Sequence, residues 1–386
     1  MPVKDDLLQK LQQLRKDVHR HPEVSGEEKE TAKRIAAFIR EYKPDEVLTD
    51  LGGSGMVFIF KGSKPGPTVM IRAELDGLPI REVNDLPYRS QYEGKAHLCG
   101  HDGHMAIVAG LAGIFADRRP QRGNIALMFQ PAEETGEGAA RMLESREFLR
   151  IQPDYIFALH NLPGFPKNEI VIKPGIFASA SKGFIAVLEG KTSHAAEPEN
   201  GKSPAMAVAE MILSIERAAR EADELKGFAL ATIVHVKIGE RAFGVTPGNA
   251  VVMATLRAHH DQDLEKLENI IAEQCHQIAG KHGLKLRLDE TETFHSTIND
   301  ADCSILVENV ATELMLTVYK TSEAFRWSED FGLFTQKYKG AMFGLGAGES
   351  TPDLHNPDYD FPDQITKSGI LMFYHIIDRL LNKANA

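Results

Sequence analysis

The chain has 386 residues, 42% of them apolar and 26% charged, with a formal net charge of −11. That length exceeds one ordinary core, so two domains are expected, and the composition excludes a disordered or fibrous chain. The acidic balance argues against a general nucleic-acid binder, and no run approaches the ~18 apolar residues of a membrane span. Three scattered cysteines, Cys99, Cys275 and Cys303, make no disulfide framework. The start, Met1-Pro2-Val3-Lys4, leads straight into amphipathic helix without the apolar core of a signal peptide, and a reduced cytoplasm is the expected location.

Leu7, Leu8, Leu11, Leu14 and Val18 recur at helical spacing, and His19-Arg20-His21-Pro22 closes that helix. Ser25 with Glu28 reads as a capping box for a second helix whose face is Ala32, Ile35, Ala36 and Ile39. After the turn Gly52-Gly53-Ser54-Gly55 come a strand at Met56–Phe60 and another at Thr68–Ala73, which runs into Glu74-Leu75-Asp76-Gly77. Residues 105–117 are apolar on nearly every side, as in a deeply buried helix. The strand Asn124–Phe129 ends in Gln130-Pro131-Ala132-Glu133-Glu134, and Tyr155–Leu159 ends in His160-Asn161. Strands alternating with helices predict an α/β fold, a mostly parallel sheet covered on both faces, with ligands beyond the carboxyl ends of the strands.

From about residue 180 the pattern changes. A strand at 184–188, a loop through His194, a helix at 204–223, strands at 228–238 and 249–258, a helix at 262–281 and a strand at 284–294 spell β-α-β-β-α-β. That is the ferredoxin-like α+β unit, read here as an inserted satellite domain over 181–293. The catalytic domain then comprises 1–180 and 294–386, the latter with a helix near 300–317, Trp327-Ser328-Glu329-Asp330-Phe331, a strand at Ala341–Leu345, a loop bearing His355 and a final helix at about 363–382 after Pro362.

The chemistry lies in Cys99-Gly100-His101-Asp102-Gly103-His104 and in the Glu133-Glu134 pair. Singly, Cys99 reads as a buried structural cysteine, His101 and His104 as packed core histidines, and the paired acids as a solvated loop. Together, thiolate, imidazole and carboxylate at neighbouring strand and helix ends form a ligand set for a divalent transition metal. The glycines flanking His101 would allow the close backbone approach of a metal shell. Adjacent acids cannot both face one ion comfortably, so one is expected to bind it and the other to point at water. His104, one turn along, reads as a supporting or simply buried residue.

Leu75-Asp76-Gly77-Leu78-Pro79, the Cys99–His104 run, Phe129–Glu134, Leu159-His160-Asn161, Ser328-Glu329-Asp330-Phe331 and the late His355 appear in an order that resembles the M20 family of metallopeptidases and amidohydrolases. The likeness is to its aminoacylase-like, hippurate-hydrolase-like and indole-3-acetyl-amino-acid hydrolase-like branch, and it spans essentially the whole chain. It implies a zinc-exopeptidase-like catalytic domain with two divalent metal ions per subunit, zinc or manganese foremost and cobalt or nickel as alternatives. The implied ligands are Cys99 (bridging), His101, Glu134, His160 and His355, with Glu133 as general base and Asp76 orienting a ligand. His194 matches a histidine that reaches the scissile carbonyl, often from the second subunit of a homodimer formed through the satellite domain. Two departures stand out. The family's Asn-x-Ile-Pro is Gly244-Val245-Thr246-Pro247 here, so that substrate contact is either missing or taken over by Asn249, and Arg-Ala-Asp-Met-Asp is Arg72-Ala73-Glu74-Leu75-Asp76.

The expected reaction is hydrolysis of an N-acyl amino acid or a related amide. Arg257 is a candidate for the substrate carboxylate, against the alternative of a rim salt bridge. Two rival readings stay open: a dipeptidase, aminopeptidase or carboxypeptidase acting on short peptides at the same centre, and a non-catalytic binding member. Neither nucleic acid nor membrane is an expected partner.

Overall fold

The computed structural model describes residues 3–222 and 225–382, so Met1-Pro2 and position 223 of the expected 204–223 helix lie outside the described residues. Contact density divides the chain into two units: Met1–Phe177 with Thr297–Glu323 and Asp330–Ala386, and Ala178–Ser296 with Ala324–Glu329.

The first unit begins with helices α1 (Asp5–Arg20) and α2 (Lys29–Arg40), then strands β1 (Glu46–Leu51), β2 (Gly55–Lys61) and β3 (Lys64–Glu74). Helix α3 (His101–Asp117), β4 (Arg122–Gln130), β5 (Tyr155–Pro163) and β6 (Ile170–Ile172) follow. The eight-stranded sheet runs β1-β2-β4-β3-β5, then Lys339–Gly348, β6 and Val318–Lys320. Its middle is parallel: β3 pairs β4 and β5, and β5 pairs Lys339–Gly348. Antiparallel pairs join β1 to β2, β2 to β4, and β6 to Lys339–Gly348.

Alternation sorts the strand residues to two buried faces, which is why these segments read as unbroken apolar runs. Phe58, Phe60, Val69, Ile71, Ile125 and Leu127 share one core with α1, α2, α3 and the final helix Thr366–Leu381. Residues of the opposite parity, Arg72 among them, lie on the other face. Short helices Gly138–Glu144 and Gly332–Thr335 pack on that side against β4 and Lys339–Gly348. Helix α3 is buried over most of its length, and it starts at His101, four residues before the apolar run that announced it.

The second unit is a four-stranded antiparallel sheet ordered Ala229–Ile238, Asn249–Ala258, Ala180–Glu189, Lys285–Phe294. Helices Ala205–Glu221 and Asp261–Lys281 bury Val208, Met211, Ile215, Leu267 and Ile271 in one core with Phe184, Leu188, Val252 and Leu256. Numbered along the unit, its strand order is 2-3-1-4, that of the ferredoxin-like split β-α-β. The segment Ala324–Glu329 belongs to this unit, with Ser179 donating its N–H to Phe325 and Trp327 carbonyls. Cys275 and Cys303 are unpaired and buried, one in each core.

Candidate metal centre

Parallel register brings the chemistry to one edge of the first unit's sheet. Glu74 at the end of β3 pairs with Gln130 at the end of β4, so the turns holding Asp76 and Glu133-Glu134 leave the sheet side by side. His160 lies in β5, paired with Gly344, and Cys99 stands just before α3. The glycines near His101 leave room for close packing. Gly100 is left-handed (φ +93°), and a Cβ there would lie 2.3 Å from Asn161 Oδ1; a Cβ on Gly103 would lie 2.3 Å from the Phe361 ring.

The turn after β4 is strained. Ala132 has φ +51°, a conformation that costs an L-residue roughly 1–2 kcal/mol. It is held there because its N–H donates to Glu28 Oε1 (2.8 Å) and its carbonyl accepts the Gly138 N–H (3.0 Å). Beyond it, Glu133 Oε2 comes to 3.7 Å and Glu134 Oε1 to 3.8 Å from His101 Nε2. Ser25 does not cap α2 as a sequence reading suggests, because the helix begins at Lys29 and Glu28 is committed to Ala132. Ser25 Oγ donates instead to Asp76 Oδ2 at 2.7 Å.

Cys99 Sγ lies 3.6 Å from His160 Nε2, and His355 Nε2 lies 3.7 Å from Glu134 Oε2. Ligand atoms of Cys99, His101 and His160 fall within 4.8 Å of one another, as do those of Cys99, Glu134 and His355, and of His101, Glu133 and Glu134. Six side chains from four segments thus share one pocket. All are buried except Glu134, which is partly buried, and His355, half-exposed on a left-handed residue (φ +66°) whose N–H donates to the Leu98 carbonyl.

Two imidazoles are set in the same tautomer. His101 Nδ1 donates to the Asp76 carbonyl (2.9 Å), and His160 Nδ1 donates to the Asn161 carbonyl (3.0 Å), so each leaves its Nε2 facing inward. His101 Nε2 is buried and has no hydrogen-bond partner. A ring nitrogen that faces two carboxylates without a hydrogen bond to either is a place where a divalent cation can stand in for a proton, so the residues fit a metal. Electrostatics pull the rings apart. Burial alone would lower His101, but Glu74, Asp76 and Glu134 overcome it and raise its pKa to about 10; burial and then His104 push His160 down to about 3. Asp76 acts on His101 chiefly through its carbonyl, while its carboxylate accepts the Glu134 N–H (3.0 Å).

His104 stands behind the cluster, with Nδ1 2.7 Å from Glu74 Oε2 and Nε2 2.5 Å from Asn161 Oδ1. Glu74 pairs in turn with Arg72, whose guanidinium reaches Asp330 Oδ1 (2.6 Å) and Gln130 Oε1 (2.9 Å). This buried network escaped the sequence reading. Its signals were an arginine inside an apolar strand run and the Gln130 and Asp330 of the quoted motifs.

His194, Asn249 and Arg257 belong to the second unit. His194 is exposed, and its Nδ1 accepts the Ala196 N–H (3.1 Å), which puts the ring proton on Nε2. The departing Gly244–Pro247 run has a structural part: Val245-Thr246 pairs with Ser193-His194, and Thr246 Oγ1 lies 2.7 Å from Ser193 Oγ. Asn249 is exposed at the start of its strand. Arg257 donates to the Arg326 carbonyl (3.1 Å) and Ser328 Oγ (3.0 Å), has its pKa lowered by burial, and pairs with no carboxylate among the described residues. A rim salt bridge is therefore not its role here.

No helix among the described residues is long and apolar enough to cross a membrane. Comparison with known proteins gives the same picture of kinship throughout. Residues 70–379 match the model of peptidase family M20/M25/M40. An N-acetyldiaminopimelate deacetylase of Exiguobacterium sibiricum is 31% identical over 91% of this chain and 94% of its own length. A hippurate hydrolase of Campylobacter jejuni is 29% identical over 93% of this chain and 94% of its own. The crystal structure of the Bacillus subtilis YXEP protein, described as a dinuclear metal-binding peptidase from the M20 family, superposes with a TM-score of 0.83 at 26% identity, covering 99% of this chain and 100% of that one. With a family match over most of its length and a metal-type cluster at the strand ends, this chain belongs to peptidase family M20/M25/M40.

Proposed function

We propose that the chain hydrolyses the amide bond of N-acyl amino acids, releasing a carboxylic acid and an amino acid. The observation that carries this reading is the buried His101 Nε2, without a hydrogen-bond partner and facing Glu133 and Glu134 beside Cys99 and His160. The relatives named for deacetylation and for hippurate hydrolysis support the substrate class. Cys99, His101, Glu134, His160 and His355 would hold two divalent ions, zinc or manganese by donor type, with cobalt and nickel as alternatives. When bound, such ions supply Lewis acidity toward the amide carbonyl and lower the pKa of water.

The chain's own residues do the rest. Glu133 takes a proton from the attacking water and passes it to the leaving nitrogen. Asp76 keeps His101 in its Nδ1–H tautomer through its carbonyl and steadies Glu134 through its carboxylate. His194 offers its Nε2–H to the developing oxyanion. Arg257, desolvated and without a carboxylate of its own, receives the substrate's carboxylate, and Asn249 contributes a polar contact. The first unit, with limits near the expected 1–180 and 294–386, is the catalytic domain, and the 181–293 satellite forms a homodimer. The outer strand Ala229–Ile238 supports that: among the described residues it is an edge of the sheet, with Leu230 and Val234 40% and 58% exposed. The acidic composition and the absence of disulfides among the described cysteines fit a cytoplasmic enzyme with small-molecule substrates.

The test is turnover of N-acetyl amino acids, N-benzoyl amino acids and dipeptides by chelated and metal-restored protein, with Glu133→Gln alongside. Metal-dependent cleavage of the acyl amino acids, reduced roughly 10²- to 10⁴-fold in Glu133→Gln, is expected. Preference for dipeptides would replace the proposed substrate class, and full activity of Glu133→Gln would remove the proposed base.

A further inference from the structure

One buried charge in the first unit lies outside the chemistry yet touches two of the segments that supply it. Arg15, on α1, is 1% exposed. Its Nη1 donates to Asp102 Oδ2 (3.1 Å) and to Asp360 Oδ1 (2.9 Å), and its Nε forms an ion pair with Asp363 Oδ1 (2.6 Å). Asp102 follows His101 in the first turn of α3, and Asp360 and Asp363 follow His355 along the chain.

His355 has little else to hold it. It is half-exposed and left-handed, its ring lies 3.7 Å from Glu134 Oε2, and among the described residues its backbone N–H is tied to the Leu98 carbonyl. The ties that register its segment come just after it. Val83 N–H reaches the Pro357 carbonyl, Asn84 Nδ2 the Tyr359 carbonyl (3.1 Å), and Tyr88 Oη donates to Asp360 Oδ2 (2.7 Å). Arg15 lies over the Tyr88 ring at 4.9 Å, so those ties converge on it as well. A planar guanidinium can serve several carboxylates in fixed directions at once, which an ammonium cannot do.

We propose that Arg15 is a positioning residue for the metal centre. By holding Asp102, Asp360 and Asp363 together it docks the His355-bearing segment onto the first turn of α3, and so sets the affinity for the ion held through His355. This rests on the ligand reading above. Arg15 touches none of the proposed ligands; it acts through the backbone that carries them. Outer partners of metal ligands are typically worth about 10- to 100-fold in affinity, and the same range is expected here, confined to one ion.

The experiment is a cobalt(II) titration of chelator-treated full-length protein, followed by visible absorption and equilibrium dialysis, for wild type, Arg15→Met, Arg15→Lys and the pair Asp360→Asn/Asp363→Asn. Wild type is expected to take up two equivalents tightly. Arg15→Met keeps one and binds the other at least tenfold more weakly, with a changed cobalt spectrum, and Arg15→Lys recovers part of the loss. The aspartate pair, which leaves Arg15 with Asp102, gives the same selective loss and covers the case in which Arg15→Met does not fold. Two tight equivalents in the folded variants, or equal weakening of both, would overturn the inference and leave the ligand reading standing. Failure of wild type to bind two equivalents would overturn both.

Discussion

Arg72 carries the floor of the centre, and its removal gives a quantitative test of that architecture. Its side chain, those of Glu74, Gln130 and Asp330, and the ring of His104 are all essentially inaccessible to solvent. Arg72→Met retains much of the side-chain volume but withdraws the positive charge from two buried carboxylates. Breaking a buried pair in this way costs about 3–5 kcal/mol, a large part of the 5–15 kcal/mol by which typical domains are stable. With a slope near 3 kcal/mol per molar urea, the midpoint should fall by about 1–2 M. The pH dependence provides a second signature. Burial would raise the Glu74 pKa, but Arg72 and then His104 hold it well below the usual carboxylate range. In wild type that group therefore stabilises the fold above its unfolded pKa, and the contribution is lost as pH falls through the folded value. Without Arg72 the folded pKa moves up, so the gap between wild type and variant should narrow from pH 7 toward pH 5. Far-UV circular dichroism follows the melt. The single tryptophan, Trp327, belongs to the second unit, and its fluorescence transition should move less. A midpoint shift below about 0.3 M, or a gap independent of pH, would refute the claim that Arg72 neutralises this cluster.

His19 is buried, yet hydrogen bonds to Asp102 and Glu82 outweigh the burial and raise its pKa to about 9. Its stabilisation is full below pH ~6.5 and is lost as pH rises through ~9, a change of about 3 kcal/mol; His19→Gln should flatten the fall in melting temperature between pH 6 and pH 10. Arg257→Met should raise KM roughly 10- to 100-fold for substrates with a free carboxylate and leave carboxamide analogues unchanged. Equal effects on both would rule out the carboxylate contact. Cys99→Ser should lower metal content after dialysis while preserving the dichroism spectrum, and an unchanged metal content would exclude the thiolate as a ligand.

What could be read from the sequence alone was whatever depends on neighbours along the chain. Apolar runs marked the strands because both sheet faces are covered, while the alternating burial of Ala250, Val252, Ala254 and Leu256 emerged only with the packed helices. Motifs at strand ends showed the donor types, since parallel strands deliver their carboxyl ends to one edge whatever lies between them. Tertiary structure decided the partners. Ser25 read as a helix cap and is spent on Asp76, and the glycines around His101 make room for Asn161 and Phe361. Ala132 is held left-handed by Glu28, from more than a hundred positions away. Arg72 and Arg15 are the centres of buried networks. Local propensity could not reveal these roles, because a hydrogen bond or ion pair is specified by which groups meet after desolvation, and that meeting exists only once distant segments have packed.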